Sequence, residues 1–367
     1  MTEQAIYKLR PNRVRRNYRG GAMLARWDGV GDPVDGACPE DWIASTVEAR
    51  NPGLPPIDHE GLSTVETSVG VMRLTDLIAA APQYMLGEAH LRSIGQSVGF
   101  LAKLLDAGMR LHIQAHPTAA FAQQHLGSRW GKLEAYVILD VRPSTAGSLL
   151  LGFQHCPTPE QWKRIVLEQD MEAMLACFEA IPVQPGELWY VPGGVPHAIG
   201  EGLLVMEIME PSDLVVRCEF EREGIVVPPE ARFMGRDPDF ALGIFHYEQW
   251  SPAEVRDRLC VQPESISASD GCTHQRLFGQ AHSSCFEVHR LALDAGAAYT
   301  FASDERMRVA IVTTGAGRAA AGDMSLPVHK GERFIVPAGG GELRLQGGDD
   351  GLQVIICMPQ VGPTDVA

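Results

Sequence analysis

Apolar and polar positions alternate along this chain with two different periods. From Glu88 to Asp106 there is no proline, and Leu91, Ile94, Val98, Leu101 and Leu105 fall at helical spacing, so residues 70–107 read as helical. A second helical region, about 158–181, opens at Thr158-Pro159-Glu160-Gln161. Thr158 can cap, Pro159 suits the first helical position and Gln161 completes a capping box. The pattern breaks near Asp170 and ends before Pro182. Most of the remainder is short β-like runs punctuated by Gly and Pro. In Leu111–His116, alternation sends Leu111, Ile113 and Ala115 to one face and His112, Gln114 and His116 to the other. In Lys132–Leu139 it gathers Lys132, Glu134 and Tyr136. A third segment, Gly186–Ala198, carries His197 just past a Pro-Gly turn.

One short pattern occurs twice. Residues 182–194 read PVQPGELWYVPGG and residues 327–339 read PVHKGERFIVPAG, an offset of 145 residues (182 to 327) with eight of thirteen positions matching in type. The unit is a strand and a Pro-Gly turn, and its recurrence implies two related β domains. They are expected at roughly 1–235 and 236–367, with helices confined to the first. The same offset carries His197 onto Glu342, after Gly339-Gly340-Gly341, and no Gln-x-His counterpart lies upstream. The second domain therefore reads as structural.

Composition narrows the classes. A length of 367 residues allows two or three domains, and 45% hydrophobic with 21% charged residues is the profile of a folded globular chain. Glycine (38) and proline (25) suit a turn-rich β architecture. With 31 Lys and Arg against 46 Asp and Glu, the formal charge is −15. That field disfavours nucleic acid and anionic lipid, although a phosphorylated small molecule needs only a few convergent cations. No 18-residue apolar run is present, so no membrane helix is expected. The first twenty residues are charged and do not read as a signal peptide, and Arg13, Arg15, Arg16 and Arg19 read as a solvated surface segment. Eight cysteines without a CxxC read as reduced thiols of a cytoplasmic protein.

Taken singly, the three polar segments suit a satisfied strand face, an exposed edge and a loop histidine. Together they offer neutral imidazoles and a carboxylate from separated segments, which is how zinc is bound. Glu207, isolated in the apolar run Leu203–Ile208, is either a base with a raised pKa or half of a structural ion pair.

The pattern Gly108-x5-Gln114-x-His116, then Glu134, then Gly186-x5-Pro192-x-Gly194-x2-His197 resembles the paired motifs of the cupin superfamily. It is most similar to class I, zinc-dependent phosphomannose isomerases, in which glutamine replaces the first histidine of the His-x-His pair. Further stretches carrying the likeness, within residues 8–217, are Tyr18–Gly21, Glu40–Ile43, Lys103–Ala107, Gly131–Glu134, Pro196–Ala198 and Ser212–Arg217. The resemblance implies a mainly β protein of two cupin-type jelly-roll domains. It implies that Gln114, His116, Glu134 and His197 hold one zinc ion, and that Lys103 and Lys132 face the substrate. It further implies that Arg217 is catalytic with Asp213 nearby, and that Glu207 sits at the position of a proton-transfer base. The implied reaction interconverts mannose 6-phosphate and fructose 6-phosphate through an enediol. Two features depart from the family. His112 stands where it has a small hydroxyl residue near the sugar phosphate, and the run Cys218–Glu223 is acidic. Other readings are an isomerase of another or unphosphorylated sugar, a metal-containing cupin that only binds sugar, and an iron oxygenase.

Overall fold

Strands that are apolar on both faces must be covered on both faces, and this requirement stacks the molecule in layers. The structure is a computed structural model that describes residues 3–31, 33–269 and 271–361. Its centre is an antiparallel seven-stranded sheet. Its strands, in spatial order, are Cys260–Val261, Leu188–Val191, Glu134–Val141, Leu203–Met209, Leu101–Asp106, Glu40–Ile43 and Arg13–Val14. Ala102, Leu104, Val137, Leu204 and Met206 on one face pack against Val288, Val309, Ile311 and Ile335 of a nine-stranded C-terminal sheet. Leu105, Tyr136, Ile138 and Val205 on the other face meet Leu149, Leu151 and Ile199 of a five-stranded sheet. The outer side of that third sheet, through Ile113, Ala115, Ala198 and Val216, is covered by Trp162, Ile165, Val166 and Leu242. Each fully buried aliphatic side chain in these layers contributes about 1.5–3 kcal/mol. The gap between the seven- and five-stranded sheets is where polar side chains collect.

The helix expected over 70–107 is a correction. Strand Gly70–Arg73 precedes three short helices, Leu74–Ala80, Pro82–Leu86 and Glu88–Ser93. Gly95 and Gly99, with φ of 96° and 87°, take the chain out of helical geometry, and Leu101–Asp106 is a strand. Every residue of that strand is buried, so its apolar run matches either period and its leucine spacing mimics a helix. Lys103 consequently lies mid-strand and not at a helix end. The second region follows its signals. Thr158 and Gln161 form the capping box of helix Pro159–Glu168, Gln169 (φ 54°) ends it, and Asp170 caps Met171–Leu175. Helices Pro238–Leu242 and Pro252–Leu259 lie beyond residue 235, so helices are not confined to the first part.

The repeat is visible in three dimensions. Its matched strands are Leu188–Val191 and Arg333–Val336, bounds that differ by the same offset, and Gly186 and Gly331 both have φ of 94°. Two strands cross the border expected at 235/236. Cys260–Val261 pairs with Leu188–Val191, and Tyr7–Lys8 pairs with Arg333–Val336. Glu342 is exposed.

Candidate active site

Side chains directly opposite one another in an antiparallel sheet share a face. The register Tyr136↔Glu207↔Lys103 therefore sets a phenol, a carboxylate and an ammonium in one row of the seven-stranded sheet. Glu134, two residues before Tyr136, points the same way. In the five-stranded sheet Gln114 is in register with both His197 and Arg217. The two rows face each other across the gap.

At one end of the gap His116 Nε2 lies 3.0 Å from Glu134 Oε1, His197 Nε2 lies 3.4 Å from Glu134 Oε2, and Gln114 Nε2 lies 3.4 Å from His197 Nε2. One donor atom from each of His116, Glu134 and His197 lies within 4.8 Å of the others, and no other such cluster occurs among the described residues. His116 donates from Nδ1 to Leu214 O and His197 from Nδ1 to Val195 O, both at 2.9 Å. Those bonds fix the tautomers and leave each Nε2 lone pair aimed at the cluster. Burial and the neighbouring Lys132 push the His116 pKa down to about 3, so the ring is neutral, the form that can ligate a metal. Burial opposes the charge on Glu134, but Lys132 and His116 hold its pKa well below the usual carboxylate range. Tetrahedral zinc ligands about 2.1 Å from the metal stand roughly 3.4 Å apart, so these spacings and this donor set fit zinc.

Beside the cluster, buried charges alternate. Lys132 Nζ lies 2.9 Å from Glu134 Oε1, and Lys103 Nζ lies 3.0 Å from Glu207 Oε2 and 3.5 Å from Glu40 Oε1. Glu40 also accepts from the Tyr18 hydroxyl at 2.5 Å and Trp42 Nε1 at 2.6 Å, and Arg16 Nε is 3.5 Å away. Burial works against the Lys103 ammonium, but Glu207 and Glu40 keep its pKa above the ordinary lysine value. Burial, then the charge on Glu134, pushes Glu207 up to about 8 although Lys103 and Lys132 oppose it. Arg217 donates from Nη1 to Ala231 O at 2.8 Å, and no carboxylate among the described residues lies within 4.0 Å of it. Its pKa is lowered to about 10 by burial and by Arg16. His112 is buried with Nε2 unpartnered, and burial, assisted by Arg217, lowers its pKa to about 4 against the pull of Glu219.

The cavity enclosed by these groups is narrow, with a volume of about 30 Å³, and opens into a vestibule of about 370 Å³. Arg16, Asn17, Tyr18 and Arg217 line both. Of the residues singled out from sequence, Lys103, His112, Gln114, Lys132, Glu134, Glu207 and Arg217 line the inner cavity, and His116 and His197 complete the ligand cluster. Asp213 does not line either space. It accepts from Arg16 Nη2 at 3.1 Å and so positions that guanidinium. Sequence reasoning missed Arg16, Tyr18 and Glu40 as wall residues and read Arg16 as solvated, whereas it is buried. Val14, Arg16 and Tyr18 are buried alternately, as in a strand, a pattern that the charge on Arg16 masks in the sequence.

No family model matches the chain. The mannose-6-phosphate isomerase ManA of Bacillus subtilis (strain 168) is 27% identical over 267 residues, which are 71% of this chain and 78% of that protein. The crystal structure of the mannose 6-phosphate isomerase from Bacillus subtilis superposes with a TM-score of 0.73 at 22% identity, covering 96% of this chain and 99% of that one. A zinc-bound mannose 6-phosphate isomerase structure superposes with a TM-score of 0.72 at 15% identity, over 97% of this chain and all of that one. The chain has the phosphomannose isomerase fold.

Proposed function

We propose that this chain is a zinc-dependent aldose–ketose isomerase of the cupin superfamily that interconverts mannose 6-phosphate and fructose 6-phosphate. The observation that carries the reading is one buried gap holding both a metal-ligand set and, unshared with it, a carboxylate of raised pKa and an arginine with no acidic partner. A protein that only bound sugar would need neither of the last two. Gln114, His116, Glu134 and His197 would hold one zinc ion per chain. Zinc bound there supplies a Lewis acid for the sugar oxygens at the reacting end. Glu207 Oε2 takes the proton from the carbon beside the carbonyl and returns it to the neighbouring carbon, and the enediol is the species between the two transfers. Arg217 stabilises the negative oxygen that grows as the proton leaves, since its planar fork has no carboxylate to satisfy first. Lys132 balances Glu134, and Lys103 positions Glu207. The C-terminal sheet buttresses the central one, and no second cluster of metal-ligating side chains occurs among the described residues. We place the protein in the cytoplasm, consistent with eight unpaired cysteines; among the described residues no helix is long and apolar enough to cross a membrane.

Metal analysis of anaerobically purified protein, with an isomerase assay coupled to fructose 6-phosphate detection, tests the reading. Zinc near one per chain together with turnover supports it. Stoichiometric iron, with activity restored by iron alone, overturns it in favour of an oxygenase-type centre.

A further inference from the structure

The lysines that the family resemblance places facing the substrate already have partners. Lys103 is shared between Glu207 and Glu40, and Lys132 is bonded to Glu134. A phosphate could engage either only by stripping a buried carboxylate of its counter-charge. His112, enclosed with a free Nε2, offers one neutral hydrogen-bonding atom and not a charge. The one unpaired cation of the described inner wall, Arg217, is committed to the reacting oxygen in the proposed chemistry, so what remains there recognises hydroxyls and carbonyls and leaves no free cation for a dianion.

The vestibule has the opposite character. Beyond the neck at Arg16 and Arg217 its wall carries Arg19 and Arg50, both exposed, and neither has a carboxylate of the described residues within 4.0 Å. Among the described residues Asp35 is the one acidic residue on the wall, and Arg142 Nη1 holds it at 2.6 Å. A chain with a formal charge of −15 thus presents a locally positive mouth, an arrangement that concentrates anions at one place. The mouth is built and not floppy. Asn51 Nδ2 donates to Glu60 Oε2 at 3.1 Å, Leu54 N donates to Asn51 O at 3.1 Å, and Arg15 Nη2 donates to Pro55 O at 2.9 Å. Across it, a Cβ on Gly53 would sit 3.4 Å from Pro228 Cγ.

We propose that Arg19 and Arg50 form the subsite for the phosphate monoester of the substrate, at the mouth of the vestibule, with the reacting end of the sugar in the inner cavity. This deepens the isomerase reading and rests on it for the identity of the sugar. It moves phosphate recognition off Lys103, Lys132 and His112 onto loop arginines.

The test uses the zinc-loaded full chain with Arg19→Ala, Arg50→Ala and the double substitution. Both side chains are exposed, so melting temperatures should match wild type. The ratio of kcat/KM for mannose 6-phosphate over mannose should fall about ten- to a hundredfold in the double variant, the scale of losing charge-assisted hydrogen bonds. Competitive inhibition by inorganic phosphate should weaken by a similar factor. A double variant that keeps the wild-type ratio and phosphate inhibition constant overturns the subsite. Calorimetric titration with inorganic phosphate separates it from the isomerase reading. Phosphate binding lost in the double variant supports the subsite even if wild type isomerises neither sugar, whereas equal binding in both overturns it.

Discussion

Replacing Glu207 with glutamine sets the chemistry of the site against its stability. The carboxylate is buried, 3.0 Å from the Lys103 ammonium and in register with Tyr136 across the sheet. Burial and then Glu134 raise its pKa from 4.5 to about 8, with Lys103 and Lys132 pulling the other way. A raised value means the folded chain keeps a proton that the unfolded chain releases. The associated stability is fully present below about pH 4.5 and is lost as pH rises through about 8. Each pKa unit is worth about 1.4 kcal/mol, and relaxation around the buried group reduces the total to about 1–3 kcal/mol at pH 8. Glutamine keeps the shape and never carries the charge. Metal-free Glu207→Gln should melt close to wild type at pH 5 and a few degrees above it at pH 8. The metal-loaded variant should lose about 10²–10⁴-fold in kcat with little change in KM. Turnover within threefold of wild type would refute proton transfer at Glu207 and leave it a structural partner of Lys103. A melting point below wild type at pH 8 would refute the raised pKa.

His116→Ala and His197→Ala should each lose zinc, measured by plasma emission, and activity, while circular dichroism keeps the wild-type shape, because the adjacent Ala115 and Ala198 anchor the backbone in the outer core. Arg217→Lys keeps the charge without the planar fork and should lower kcat about ten- to a thousandfold, far more than it raises KM. His112→Ser should weaken kcat/KM for mannose and mannose 6-phosphate alike. A ratio between the two substrates that rises sharply in the serine variant would instead show that His112 excludes phosphosugars.

The parts of this site that could be read from sequence are those carried by strands with one polar face. Lys132, Glu134 and Tyr136 alternate with apolar residues, and so do His112, Gln114 and His116, and all six reach the site. Strand geometry covers only Gln114–Ala115 and Glu134–Val141, so a period of two accounts for Gln114, Glu134 and Tyr136, while His112, His116 and Lys132 sit on flanking extended segments. Lys103 shows where that reading fails. Its strand is buried on both faces, between the C-terminal sheet and the cavity, so polarity carries no period and leucine spacing mimics a helix. Arg16 shows a second failure. A guanidinium enclosed by Glu40 and Asp213, residues 24 and 197 positions away, is indistinguishable in sequence from its solvated neighbours. The vestibule is harder still, because residues 50–54 and 225–228 meet only through tertiary structure. This division has a physical origin. The proposed proton transfer would need Glu207, Lys103 and Glu134 held within tenths of an ångström, which adjacent strands in fixed register provide. Recognition of a distal anion tolerates looser geometry and can be left to loop arginines, whose charge acts over a longer range than a hydrogen bond. An enzyme of this fold can therefore exchange its distal specificity through residues such as Arg19 and Arg50 without disturbing the row Tyr136, Glu207 and Lys103, and the proposed subsite would accommodate the departure at His112 in that way.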